Sequence, residues 1–247
     1  MPFLACLLVS GCVEAPEKQH EQRLELIASA NAALAAREPC CTGFENAAVH
    51  GAWPNSLTHV VVGENSDVAV FGEDKVYFAG LELPANMPSR SLLIKEWYVV
   101  RARDPHAPAT ILSSRPGVGS AYVLKPHIAF LDARHKLINE VVAPVCFDQG
   151  WDGERTGFFS AATAPLEARF AIVFTRPVDS DAGINHKYSG GGGTVGFSFQ
   201  YSGTMKVFFG PTGNLELGLV NAKQIESLRA SPDKECSDVL AAWGYQP

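Results

Sequence analysis

The chain has 247 residues and a formal net charge of −6, from 20 Lys and Arg against 26 Asp and Glu. Binding a phosphate backbone takes clustered cations, so no nucleic-acid partner is expected. With 47% hydrophobic and 19% charged residues the chain can bury a core, which excludes global disorder.

The first element is Phe3 to Gly11, a short apolar run closing in Val9-Ser10-Gly11-Cys12. It is too short to span a bilayer and reads as an export signal over residues 1–11. A cysteine after two small residues resembles a bacterial lipoprotein cleavage box, with Cys12 as the lipidated first mature residue. A Lys/Arg-rich leader start is missing, so the true start could lie upstream of Met1. No other stretch reaches transmembrane length, so membrane attachment is expected through lipid alone.

Residues 12–38 read as a tether followed by a helix. From Glu21 to Arg37, Leu24, Ile27, Ala28, Leu34 and Ala35 fall on one face, with Asn31 as the polar interruption, and Pro39 ends the run. Residues 39–220 read as a β domain. Short β-rich runs at 58–62, 68–71, 76–83, 91–100, 127–131, 137–142, 169–175, 205–209 and 215–219 are separated by Gly, Asn, Asp and Pro turns. Gly210-Pro211-Thr212-Gly213-Asn214 gives a hairpin signal between the last two. Residues 104–120 read as a long turn-rich connection. Residues 221–247 read as a helical tail with Ser231 or Asp233 as a cap. Many short strands without βαβ alternation make the fold mainly β, a sandwich or jelly roll.

With Cys6 in the signal and Cys12 lipidated, Cys40, Cys41, Cys146 and Cys236 remain, an even set suited to two disulfides in an oxidising compartment. Adjacent cysteines rarely meet disulfide geometry with each other. The expected pairing is therefore Cys40 or Cys41 with Cys236, and Cys146 with the remaining member.

Chemistry-bearing motifs are sparse. Ser189 to Thr194, with four glycines, lacks the Lys-Ser/Thr ending of a phosphate loop and reads as a flexible loop. Seven His are scattered without metal spacing, and no nucleophile elbow occurs. Glu96, the one acid in an aromatic strand, is placed by alternation on the solvent face. The loop Asp148 to Arg155 departs from a calcium loop, with Gly150 and Phe159 at ligand positions. Its Trp151, with Asp152 and Arg155, is a candidate for carbohydrate, because an apolar ring stacks on a sugar while polar groups bond its hydroxyls. The alternative is a tryptophan folded back onto the core. No catalytic residue, cofactor or metal is expected.

Three segments carry a resemblance. Tyr77 to Asn86 ends a strand in a Leu-Pro turn, Pro126 to Asp132 is a Pro-x-hydrophobic strand closing in Leu-Asp, and Arg169 to Thr175 is an aromatic-hydrophobic strand closing in Thr. In this order they resemble the maltose operon periplasmic protein family. The resemblance implies a non-enzymatic, exported β domain in the periplasm of a Gram-negative-type envelope. It implies an association with maltose or carbohydrate transport and an oligosaccharide ligand. An alternative is a structural or interaction module with an envelope protein partner. A glycosidase, which needs two carboxylates about 5–10 Å apart, comes third.

Overall fold

A computed structural model describes residues 16–87, 90–97, 121–148, 157–179, 181–194, 197–219 and 236. Helix α1 (Pro16–Ala36) comes first. The strands follow as β1 (Cys41–Thr42), β2 (Thr58–Val62), β3 (Asp67–Phe71), β4 (Asp74–Glu82), β5 (Ser91–Trp97) and β6 (Val123–Leu124). Then come β7 (His127–Leu131), β8 (Leu137–Val142), β9 (Cys146–Asp148), β10 (Gly157–Thr163) and β11 (Phe170–Phe174). The last are β12 (Gly183–Thr194), β13 (Phe197–Gly210) and β14 (Gly213–Leu219). The class is mainly β and sandwich-like, as the turn spacing predicts.

One sheet has six strands in the order β1-β3-β4-β11-β7-β8, and a second has five in the order β2-β14-β5-β10-β9. Leu81, Ile128, Phe130, Ala171 and Val173 from the first sheet meet Val62, Leu92, Ile94, Leu215 and Leu217 from the second in one buried cluster. Alternate residues on the six-stranded sheet face outward, and there a second apolar layer forms. Phe71, Phe78, Phe174, Ala129 and Leu131 are covered by a strap carrying Phe44, Ala47 and Ala48. Phe44 stacks on Phe71 at 4.2 Å between ring centroids. This double covering explains why β7, His-Ile-Ala-Phe-Leu, is buried at every position: a strand packed on both faces reads as a continuous apolar run.

Turn chemistry sets the registers. Gly72 adopts φ 68° in the two-residue loop joining Phe71 to Asp74, a conformation that suits glycine. Between β7 and β8, Asp132 Oδ1 accepts from the amides of Arg134 at 2.8 Å and Lys136 at 2.9 Å. These two bonds hold its carboxyl below the usual range.

The helix buries a different stripe from the expected one. Ile27 is buried and Leu34 packs on the core, but Ala28 and Ala35 are exposed and Arg23 is only 2% exposed. The Arg23 guanidinium lies 3.3 Å from the Phe208 ring centroid and reaches Asp181 at 3.4 Å. An aromatic face and a carboxylate make the burial of this cation tolerable, although burial still pushes its pKa down. At the other end Lys75 Nζ donates to the Ala35 carbonyl at 2.9 Å, satisfying an acceptor the helix leaves open.

Three expectations are corrected. The segment 210–214 is not a hairpin turn: β13 pairs with β12 and β6, while β14 pairs with β2 and β5, so it carries the chain from one sheet to another. The glycine run is not a loop. Gly190 to Gly193 lie in β12 opposite Tyr201 to Ser198, because the backbone ladder to a strongly strand-forming partner outweighs glycine's indifference. The disulfides also pair otherwise: Cys146 with Cys236, at 5.6 Å between Cα atoms, and Cys40 with Cys41. The reason is topological. β1 edges the six-stranded sheet on one side, while β8 on its other side leads through three residues to β9. Cys146 in β9 therefore stands across the sandwich from Cys40 and Cys41. Of the expected helical tail only Cys236, in helical conformation, is among the described residues.

Candidate functional site

The principal polar constellation stands on the outer face of the six-stranded sheet, where β4 and β7 begin and β11 ends. Register places His127 opposite both Phe174 and Val142. The Arg176 guanidinium donates from Nε to Glu140 Oε1 at 2.9 Å and from a terminal nitrogen to Oε2 at 2.7 Å. Its other terminal nitrogen donates to Asp74 Oδ2 at 2.7 Å and to the Phe71 carbonyl at 3.3 Å. His127 Nδ1 lies 2.9 Å from Glu140 Oε1. Arg176 stands 5.5 Å over the Phe174 ring, so the cluster caps the aromatic layer.

Burial would raise the Glu140 carboxyl, but the bonds from Arg176 and His127 more than offset it and leave it below the usual range. Arg176 is driven further toward the charged form by the same bonds. Both carboxylates accept from one guanidinium, and Glu140 is shared with His127 as well. The arrangement ties four strands together, and it holds Glu140 ionised, the opposite of what a general acid needs.

Next to this cluster runs a groove of about 710 Å³. Among the described residues it is lined by Val142, Val145, Ile184 and Phe209, with Pro144 and the small residues Ala143, Ala182 and Gly183, and by one cation, Lys125. Val142 joins the two features, being a groove wall and the register partner of His127. Val145 and Phe209 also belong to a small buried cluster with Val123, Phe158 and Val207.

Phe158 leads to the third feature, because its register partner is Glu96. Expected on the solvent face, Glu96 is instead fully buried, at 0% exposure. Ile94 and Leu92, two and four residues earlier on the same strand face, point into the inter-sheet core and carry Glu96 inward with them. Ser160 Oγ donates to its Oε1 at 2.8 Å, and its Oε2 has no partner among the described residues. Burial pushes its pKa up to about 8 against the pull of that hydrogen bond.

The sequence candidates fall differently. Trp151, Asp152 and Arg155 lie outside the described residues, as does the lipidation candidate Cys12. The structure brings together Asp74, His127, Glu140 and Arg176, none of which the sequence singles out. Their spacing follows no motif, and the available signal is weak: each is a charged or polar residue at or near the end of a β-rich run. No group of His, Cys, Asp and Glu with metal-binding arrangement occurs among the described residues. No helix among them is long and apolar enough to cross a membrane. No protein-family model matches the chain, and no curated protein or solved structure matches it.

Proposed function

We propose that this chain is an exported, lipid-anchored periplasmic protein whose β-sandwich binds carbohydrate in support of sugar uptake, without catalysing a reaction. The observation that carries the export part is the pairing of Cys146 with Cys236, since such a bridge persists only in an oxidising compartment. The carbohydrate part rests on the resemblance to the maltose operon family. The three segments that carry it coincide with β4, β11 and β7, adjacent strands at the centre of one sheet. Buried central strands speak for a shared scaffold, and the ligand follows from the family rather than from them.

Two measurements test this reading. Intact-mass analysis of membrane-extracted protein should find acyl chains on Cys12 and four oxidised cysteines. An unmodified Cys12 with free thiols at 146 and 236 would refute export and anchoring together. Calorimetric titration with maltodextrins should give saturable binding, and heat no different from dilution removes the carbohydrate part.

A second reading, a module that docks onto an envelope protein, draws on β8. This edge strand exposes Leu137 at 41%, Ile138 at 37% and Val142 at 51%. Exposed apolar edges offer unpaired backbone to an added strand. Cross-linking in intact cells that recovers one stoichiometric envelope partner through β8 would favour it over sugar binding.

A further inference from the structure

We infer that the groove between β8 and the start of β12 is a binding site for a monocarboxylate with an apolar body, such as a medium-chain acyl or arylalkyl acid. This goes beyond the carbohydrate reading and rests on different residues. The volume, about 710 Å³, is within the range of small-molecule sites. Among the described residues the wall side chains other than Lys125 are apolar, chiefly Val142, Val145, Ile184, Pro144 and Phe209, and polar surface comes from the backbone and from Lys125. Lys125 is the one charged side chain among the lining residues described.

Lys125 decides the ligand class. Its ammonium stands 5.7 Å from the Phe209 ring centroid, and no carboxylate pairs with it among the described residues. The same face shows what a paired cation looks like, since Arg176 is saturated by Glu140 and Asp74. An ammonium in the groove lining with no carboxylate partner among the described residues calls for an anion. A neutral sugar leaves the charge of the ammonium unanswered, whereas a carboxylate pairs with it through a charge-assisted hydrogen bond. A cationic amphiphile is repelled by the same lysine. An acid with an apolar tail satisfies both halves: carboxylate on Lys125 beside Phe209, tail along Val142, Val145 and Ile184. The neighbouring charge cluster supplies no competing cation, because its guanidinium is already bound.

The test titrates the full chain with sodium octanoate and, separately, with octyltrimethylammonium, following chemical shifts or heat. Saturable octanoate binding is expected, with no binding of the cation. Lys125→Gln should weaken octanoate by about tenfold or more, the usual cost of losing a charge-assisted bond. Val142→Asp places a repelling carboxylate at an exposed wall where folding is not at stake, and should weaken it comparably. Absence of saturable octanoate binding overturns the proposal. So does equal binding of both amphiphiles, or octanoate affinity unchanged in both variants. Maltodextrin titration of the same samples reads the carbohydrate site separately, so either proposal can fail while the other stands.

Discussion

Glu96 shows how much one side chain can impose on a β-sandwich. Its carboxyl sits between Leu215 and Phe158 in the register of the five-stranded sheet, and Ser160 is its one hydrogen-bond donor among the described residues. The pKa is raised from an ordinary 4.5 to about 8, so between those values the folded chain keeps a proton that the unfolded chain has released. Stability is therefore full below about pH 4.5, declines as pH rises through 8, and is level above it. Glu96→Gln should abolish that decline, which is expected to reach a few kcal/mol by order of magnitude. Urea unfolding of both proteins at pH 5 and pH 8.5 checks it, and a parallel pH dependence in the variant would contradict the buried neutral carboxyl. Glu140 has the opposite sign. Its carboxyl is held below the usual range, so its stabilisation is present above the ordinary glutamate pKa and is lost as pH falls past it. Glu140→Gln should cost roughly 1–3 kcal/mol near neutral pH, because Arg176 and His127 lose their shared acceptor. The two proteins should converge in acid, and thermal melts across pH 3 to 7 report it.

At the scale of elements, the strap that follows β1 decides how the six-stranded sheet is finished. β3 pairs with β4 only as far as Phe78, and beyond it the strap takes over. The His50 amide donates to the Gly80 carbonyl at 2.9 Å, and Ala52 bridges Glu82 in parallel. Gly80 is there because a Cβ would collide with the backbone carbonyl of Ala48 and crowd Ile172. Gly80→Ala should destabilise by roughly 1–3 kcal/mol, the usual cost of overpacking against backbone. A wild-type melting temperature for the variant would mean that the strap is not seated as described. Strands β2, β3, β4, β7, β8 and β11 were legible from composition because their β-rich runs are bounded by clear turn residues. The short strands β1, β6 and β9 were not, because two or three residues carry no period, and they become strands only through their neighbours. β12 was hidden for another reason: its four glycines carry no side-chain pattern at all.

For the molecule as a whole, the bridge between Cys146 and Cys236 ties the last part of the chain to the edge of the five-stranded sheet across a sequence separation of 90. A crosslink over a loop of this size removes unfolded-state entropy worth roughly 4–5 kcal/mol in the simple chain model. Cys146→Ser with Cys236→Ser should lower the midpoint of unfolding accordingly, while Cys40→Ser with Cys41→Ser should do far less, because that pair closes no loop. Denaturation of the two double variants side by side separates them, and equal losses would argue against the pairing. The sequence by itself determined the mainly β class, most of the long strands and the cysteine inventory, because hydrophobic period, turn residues and cysteine count are local properties. It did not determine which cysteines pair, which face Glu96 occupies, or that Asp74, His127, Glu140 and Arg176 converge. Those depend on strand order and register. Only the closed sandwich fixes them, because a residue's partners across a sheet come from segments far away in the chain, and a one-residue change of register exchanges core for solvent.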